Sequence, residues 1–285
     1  MAARTCARGR DPVTDRPCLK ETGRPSVQGV YDALRGGRRN LAADRDAAAA
    51  LENAFPGTGE RMLEEQDFTV RAVTWAAGSG ISQFIVAGAG MPGPAAMNVH
   101  EAARAAVPGA VTVYASADPY AAAWNRALLA EDNPLVEAVD ASVLSPAGIF
   151  GHPSVKELID LAEPACVVVP MVLHFFAPAD ARLILREIAA PLAPGSVVAV
   201  SAWAGGDPAR AGEFERMFAV CRIWSHEAAG LAGWMSAAGL RIVPQPRDSH
   251  PGVVDARLWP EKVWAAGGLP GGPPGRVQVA VGVRG

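Results

Sequence analysis

The sequence predicts a doubly wound α/β fold, in which helices cover both faces of a mostly parallel sheet. From about residue 83 onward, short apolar and β-branched runs alternate with helical stretches of roughly ten residues. Such runs are typical of parallel strands that are buried on both faces. With 285 residues, a hydrophobic fraction of 50% and a charged fraction of 19%, the chain has enough apolar residues for a sizeable core.

The first part of the chain has a different pattern. Residues 1–24 are polar and rich in Arg, without helical or strand periodicity, so we expect a disordered tail. In residues 25–78 the apolar residues recur at helical spacing, and Pro56-Gly57 separates two helical stretches. Residues 79–285 are expected to form the α/β domain with C-terminal additions.

Strands and helices alternate in the second part of the chain. The predicted strands are 83–87, 111–115, 135–139, 165–173 and 196–202, and the predicted helices lie near 95–106, 119–130, 153–162 and 178–192. After them we expect helices near 208–221 and 226–238, a strand at 240–244 and a last strand at 276–283. The last strand alternates in polarity, as expected of an antiparallel edge of the sheet.

Composition excludes several classes of partner. A net charge of −3 and a pI near 6.0 argue against nucleic acid or an anionic membrane as the main partner. The chain has neither an apolar run of membrane-spanning length nor the apolar core of a signal peptide near residue 1, so we expect a cytoplasmic protein. The four cysteines form no C-x-x-C pair and no ligand spacing with the histidines, so no metal site is predicted. The sequence leaves open whether the protein is a monomer or a homodimer.

A glycine-rich turn follows the first predicted strand, in the stretch "QFIVAGAGMPG". Gly88, Gly90 and Gly93 have the spacing G-x-G-x-x-G, which in such a place lets a nucleotide-bearing cofactor lie against bare backbone. In open α/β sheets, ligands bind beyond the carboxyl ends of the strands. The sequence therefore predicts a ligand site at this turn.

One interpretation of the turn is a nicotinamide dinucleotide site, with Asp118 binding the ribose. Against it, Pro92 and Pro94 flank Gly93, so the following helix cannot begin tightly where a pyrophosphate would need its N–H groups. A single glycine motif of this kind is weak evidence for a dehydrogenase.

The second interpretation rests on a resemblance. Five stretches, in order along the chain, carry it: "PSVQGVYDALRGGRRNLAADR" (25–45), "GAGMPGPAAMNVHE" (88–101), "VTVYASADP" (111–119), "VLHFF" (172–176) and "LAPGSVVAVS" (192–201). They are similar to the actinobacterial S-adenosylmethionine-dependent methyltransferases, formerly a domain of unknown function. The first stretch is the most specific, because family members typically have R-x-Y-D-Y-x-L-G-G-K-D-N-[FY]-x-A-D-R there.

The resemblance implies a class I methyltransferase-like fold, S-adenosylmethionine as cofactor and a small substrate, which we expect to belong to secondary metabolism. It also implies that residues 25–78 form a helical lid over the cofactor site; this segment is called the lid below. The cofactor-binding positions implied are Gly88, Ala89, Gly90, Ser116 and Ser142, and Asp118 and Asp140, two residues from the serine positions, are candidate substitutes. The residues implied for the lid are Tyr31, Arg35 and Asn40. Trp203, just past the fifth predicted strand, is our candidate for the substrate pocket.

Three departures from the family fall on cofactor positions. The family usually has Asp where Val86, Ser116 and Ser142 stand here. Each hydrogen bond to a charged group contributes about 1.5–3 kcal/mol, so cofactor affinity falls unless Asp118 and Asp140 act as substitutes. Two alternatives to methyl transfer therefore stay open: a cyclase- or isomerase-type enzyme on the same fold that does not methylate, and a non-catalytic homologue.

His174 is the candidate catalytic residue. It follows the fourth predicted strand, where a class I methyltransferase presents residues to the acceptor, and a neutral imidazole is able to take a proton there. The alternative is a histidine of the pocket wall that hydrogen-bonds a loop.

Overall fold

The fold is described from a computed structural model of the chain. It describes residues 23–93, 98–204, 224, 226, 228–243, 254–255 and 276–285. The expected tail up to residue 22, with Cys6 and Cys18, lies outside these residues, and so does the helix expected near 208–221.

Helices and strands follow one another largely as the apolar pattern predicts. The helices are α1 (Val27–Leu34), α2 (Ala42–Ala54), α3 (Thr58–Gly78), α4 (Val99–Ala106), α5 (Pro119–Asn125), α6 (Pro146–Phe150), α7 (Pro153–Leu158), α8 (Pro178–Ala189) and α9 (Ala228–Ala237). The strands are β1 (Gln83–Ala87), β2 (Val111–Ser116), β3 (Val136–Asp140), β4 (Cys166–Val169), β5 (Val197–Ala204), β6 (Leu240–Ile242), β7 (Val254–Asp255) and β8 (Arg276–Arg284).

The strands form one sheet in the order β3-β2-β1-β4-β5-β8-β6, and β7 also pairs with β8. The first five strands are parallel to their neighbours, whereas β8 is antiparallel to β5, β6 and β7. This order confirms the predicted class I methyltransferase-like, doubly wound sheet. Strand order reverses between β1 and β4, so a cleft is expected beyond the carboxyl ends of these two strands.

Each face of the sheet has its own apolar core. Along β1, Phe84 and Val86 pack into the core that includes the lid helices, and Ile85 and Ala87 pack into the core that includes α8. This alternation is the side-chain period of a strand. Because both faces are covered, every residue of β1 is buried, which explains the continuous apolar run in the sequence.

Three helices occupy the lid. Ser26 caps α1 by accepting a hydrogen bond from the Gly29 N–H at 3.1 Å. Gly57, with φ 84°, follows Pro56 between α2 and α3, at the predicted break. The longest helix, α3, packs on α4 and on strands β4, β5 and β8. It therefore connects the lid to the central strands.

The fourth strand is shorter than predicted. It ends at Val169, because Pro170 has no N–H for the ladder and Met171 has a left-handed φ of 46°. A short 3₁₀ turn, Leu173–Phe175, follows. His174 is therefore in this turn and not at the end of the strand.

One further difference affects the helix predicted near 119–130. It is α-helical only to Asn125 and continues as one π-helical turn, Arg126–Ala130. No helix in the described part of the chain is long and apolar enough to cross a membrane.

The packing of α3 leads to a stability prediction. Phe68 is 0% exposed in the core shared by the lid and the sheet, so Phe68→Ala is expected to reduce the free energy of unfolding by about 3–5 kcal/mol. Leu63, on the same helix, is 44% exposed, and Leu63→Ala is expected to change it by about 0.5 kcal/mol or less. Urea unfolding measures both. Equal effects of the two substitutions would contradict this account of the lid.

Candidate functional site

A cavity of about 190 Å³ lies beyond the carboxyl ends of β1 and β4, where the cleft is expected. The lid covers one side of it, the glycine-rich turn forms another, and the segment after β4 completes it. Its lining includes Tyr31, Arg35, Glu65, Gln66, Val86, Gly88, Ala89, Gly90, Asn125 and Met171. A wider groove of about 770 Å³ is lined by residues near the start of β3 and shares no lining residue with this cavity. We place the candidate site in the smaller cavity because of its position in the sheet.

The glycine-rich turn is held firmly. The N–H groups of Gly88 and Ala89 both donate to the Ala115 carbonyl oxygen, at 3.0 and 2.8 Å, and Asn125 Nδ2 donates to the Gly90 carbonyl oxygen at 2.9 Å. Gly88 has φ 90°, a conformation that favours glycine. The three predicted residues of the turn thus line the cavity in a fixed backbone conformation.

A chain of buried hydrogen bonds connects the lid to the sheet beside the cavity. Arg35 Nη2 lies 3.3 Å from Glu65 Oε2. Glu65 Oε1 accepts from the Thr69 hydroxyl at 3.1 Å and from the Ser201 hydroxyl at 2.7 Å. Ser201 Oγ in turn accepts from the Met171 N–H at 2.9 Å. Glu65 is therefore fixed from three sides.

Three polar atoms on the cavity wall are buried without a hydrogen-bond partner among the described residues. They are Arg35 Nε, Gln66 Oε1 and Asn125 Oδ1. A buried polar group without a partner costs about 1–3 kcal/mol, and folded proteins leave few of them. A polar ligand bound in the cavity is one way to supply the missing partners.

His174 lies behind Tyr31 and not in the cavity wall. The backbone N–H of Trp203 lies 3.3 Å from His174 Nδ1, so Nδ1 is the acceptor and Nε2 carries the proton. His174 Nε2 then donates to the Tyr31 hydroxyl at 3.0 Å, and Trp203 Nε1 donates to the same oxygen at 3.1 Å. His174 and Trp203 thus fix the ring of Tyr31, which lines the cavity.

These contacts favour a positioning role for His174. The side chain is 0% exposed, and this burial, with a smaller effect from nearby His226, lowers the pKa of His174 well below its ordinary value. A neutral imidazole whose two nitrogens are both hydrogen-bonded inside the protein does not reach an acceptor in the cavity. Catalysis by His174 stays a prediction, and the geometry disfavours it. Trp203, predicted for the substrate pocket, is likewise absent from the lining.

The predicted ribose-binding residues lie outside the cavity. Ser116 is buried at the end of β2, and its hydroxyl accepts from the Asp118 N–H at 3.3 Å. Asp118 caps α5, accepting from the N–H groups of Tyr120 and Ala121 at 2.8 and 3.1 Å. Both side chains thus have local structural roles.

The residues predicted in the loop after β3 and in the turn between α1 and α2 also lie outside the cavity and make local contacts. Asp140 is exposed and lies 3.4 Å from Arg126, and the hydroxyl of Ser142 accepts from the Leu144 N–H at 3.2 Å. Asn40 donates at 2.8 Å to the Asp32 carboxylate, which braces the turn between α1 and α2. None of Asp140, Ser142 and Asn40 lines the cavity.

The most polar part of the cavity wall was not predicted from the sequence. Glu65, Gln66 and Asn125 were not singled out, and all three line the cavity. Glu65 and Thr69 are one helical turn apart on α3, close to the buried Met62 and Phe68. Polar residues at apolar helical spacing are the signal that points to such a buried site. Among the residues that the structure describes, no group of His, Cys, Asp and Glu is arranged to hold a metal ion.

The burial of His174 leads to a prediction on pH. The unfolded chain takes up a proton on this ring near pH 6.5, while the folded protein does not until the pH is much lower. The unfolded state then binds more protons, so the free energy of unfolding falls as the pH decreases below about 6.5. In His174→Gln this slope is expected to be shallower by up to about 1.4 kcal/mol per pH unit. Urea unfolding at several pH values measures it, and parallel curves for both proteins would contradict the prediction.

Comparison with known proteins finds two solved structures similar to this chain over most of their length. A protein of Thermobifida fusca YX, provisionally described as a methyltransferase, has a solved structure with TM-score 0.79 and 30% identity, over 92% of this chain and 96% of that one. A DUF574 family protein of Streptomyces avermitilis MA-4680 has TM-score 0.78 and 28% identity, over 93% of this chain and 99% of that one. No curated protein sequence matches the chain.

The family model described as "S-adenosyl methyltransferase" matches residues 16–266, which is most of the chain. The strand order of the sheet agrees with this match. The chain belongs to the S-adenosyl methyltransferase family.

Proposed function

We propose that the protein transfers a methyl group from S-adenosylmethionine to a small molecule. The observation that carries the proposal is a set of three buried polar atoms, on Arg35, Gln66 and Asn125, that have no hydrogen-bond partner among the described residues; all three residues line the cavity beside the glycine-rich turn. A polar ligand would supply partners for these atoms, and the turn gives a ligand access to the backbone of Gly88 and Gly90.

The chemistry of the wall can be compared with that of the cofactor. S-adenosylmethionine has an amino-acid end with an ammonium and a carboxylate, a sulfonium, a ribose diol and an adenine. The cavity wall offers the guanidinium of Arg35, the carboxylate of Glu65 and the amides of Gln66 and Asn125. The residues therefore fit the amino-acid end, whereas no carboxylate for the ribose lines the cavity in the described residues.

When bound, S-adenosylmethionine supplies an electrophilic methyl group on its sulfonium. The protein's part is then to orient the two reactants and to exclude water from between them. The ring of Tyr31, fixed by His174 and Trp203, and the side chain of Met171 form part of the wall around that space. The protein needs no general base if the substrate atom that receives the methyl group is already unprotonated.

The small size of the cavity supports a small acceptor. The cavity holds about 190 Å³ and lies between the lid and the sheet, which suits a small molecule better than a macromolecule. The net charge of −3 also gives no attraction to nucleic acid.

A second function is favoured by a specific observation. Val86 stands in the cavity wall where the family usually has Asp, and the cavity is smaller than the roughly 300–1,000 Å³ of common small-molecule sites. Both features agree with an enzyme that keeps the fold but binds another polar molecule and does not methylate.

Calorimetric titration decides between the two functions. We expect the protein to bind S-adenosylmethionine and S-adenosylhomocysteine. Gln66→Met removes one polar contact and keeps the side-chain length, so it is expected to weaken binding of S-adenosylhomocysteine about tenfold. Leu63→Met, on the exposed side of the same helix, serves as the matched control and leaves the affinity unchanged. If the unaltered protein binds neither compound at millimolar concentration, methyl transfer is rejected and the second function stands.

A further inference from the structure

Arg35 and Glu65 form an ion pair on the wall of the cavity. Arg35 Nη2 lies 3.3 Å from Glu65 Oε2, and the two side chains are 17% and 2% exposed. Both residues come from the lid: Arg35 directly follows α1 and Glu65 lies in α3. The wall thus presents one positive and one negative group side by side.

Each partner has hydrogen-bonding capacity left. Arg35 Nε is buried and has no partner in the described part of the chain. Glu65 Oε1 is fully used, because Thr69 and Ser201 both donate to it. Glu65 Oε2 accepts from Arg35, and a carboxylate oxygen has room for about one further hydrogen bond. One donor and one acceptor are therefore available next to each other.

The pair is held in position before any ligand arrives. Ser201, in the middle of β5, donates to Glu65 and accepts from the N–H of Met171. Met171 has φ 46°, a strained conformation for a residue other than glycine that is commonly found at binding sites. This backbone conformation directs the N–H at Ser201, so a strained residue maintains the orientation of the carboxylate.

Two further acceptors lie in the same wall. Gln66 Oε1 and Asn125 Oδ1 are buried without a partner among the described residues, with residue exposures of 7% and 1%. The orientation of the Asn125 amide is set by its Nδ2, which donates to the Gly90 carbonyl oxygen. A ligand group with several N–H donors, such as an ammonium, matches these acceptors.

The charge balance narrows the ligand class further. A simple anion would pair with Arg35, but its negative charge would lie next to Glu65. A simple cation would pair with Glu65, but its positive charge would lie next to Arg35. Burying an unbalanced charge costs free energy, whereas a zwitterion leaves the cavity neutral. The α-amino-acid group is the common biological zwitterion, with its ammonium and its carboxylate on the same carbon atom.

We propose that Arg35 and Glu65 form a subsite for the α-amino-acid end of the ligand. The guanidinium receives the carboxylate through Nε, and Glu65 Oε2 accepts from the ammonium. This inference rests on the proposed function, in which the group is the methionine end of S-adenosylmethionine. The carboxylate that Val86 does not provide from β1 then comes from α3 of the lid.

The test compares two ligands on three proteins by calorimetry. S-adenosylhomocysteine carries the amino-acid end, and 5′-methylthioadenosine is the same nucleoside thioether without it. The variants are Glu65→Gln and, as the matched control on the same helix, Asp67→Asn, whose carboxylate is 64% exposed. We expect Glu65→Gln to weaken binding of S-adenosylhomocysteine about tenfold to a hundredfold and Asp67→Asn to leave it unchanged.

Binding of 5′-methylthioadenosine is the internal control for correct folding of the variants. It is expected to be weaker than that of S-adenosylhomocysteine and equal in all three proteins. If Glu65→Gln binds S-adenosylhomocysteine as tightly as the unaltered protein does, the subsite is disproved and the proposed function stands. The same holds if the unaltered protein binds both ligands equally.

Failure of the proposed function gives a different result. In that case the unaltered protein binds neither nucleoside at millimolar concentration, and L-methionine is titrated next. If L-methionine binds to the unaltered protein but not to Glu65→Gln, the α-amino-acid subsite is retained for a ligand without the nucleoside. If L-methionine does not bind to the unaltered protein, the subsite is overturned as well.

Discussion

The buried carboxylate of Glu65 is the constraint on which the arrangement around the cavity depends. A charged group with 2% exposure must be paired and hydrogen-bonded, and its partners come from different parts of the chain. Arg35 follows α1, Thr69 lies in α3 and Ser201 lies in β5. Satisfying one carboxylate therefore fixes the lid against the sheet. The hydrogen bonds of Tyr31 with His174 and Trp203 make a second connection of the same kind.

Most of the fold could be predicted from the sequence, because parallel strands buried on both faces appear as continuous apolar runs. The antiparallel β8 was also predictable, from its alternating polarity. The end of β4 was not, since the apolar run continues through Pro170 to Leu173 while the ladder stops at Val169. Apolar periodicity records burial, and the residues after Val169 stay buried in a turn, so only the proline indicated the break.

The site was predictable in part. The turn from Gly88 to Gly90 was found because its glycines meet a backbone requirement that is local in sequence. Glu65 and Asn125 were not found, because their importance arises from tertiary contacts between distant segments. Asp118 shows the opposite case: its carboxylate follows a strand, as a ribose ligand would, but it caps the next helix. A carboxylate in that place has two possible roles, and sequence alone does not separate them.

The position of β8 in the sheet has a consequence for the newly synthesised chain. Strands β6 and β7 are made before β8, yet within the described residues each pairs only with β8. β5 likewise has no partner on that side until residues 205–275 have been translated. During that interval a long apolar strand presents an open edge, which is a template for pairing with other chains. Completion of β8 closes this edge, so the exposure to such pairing ends only when the last strand has been made.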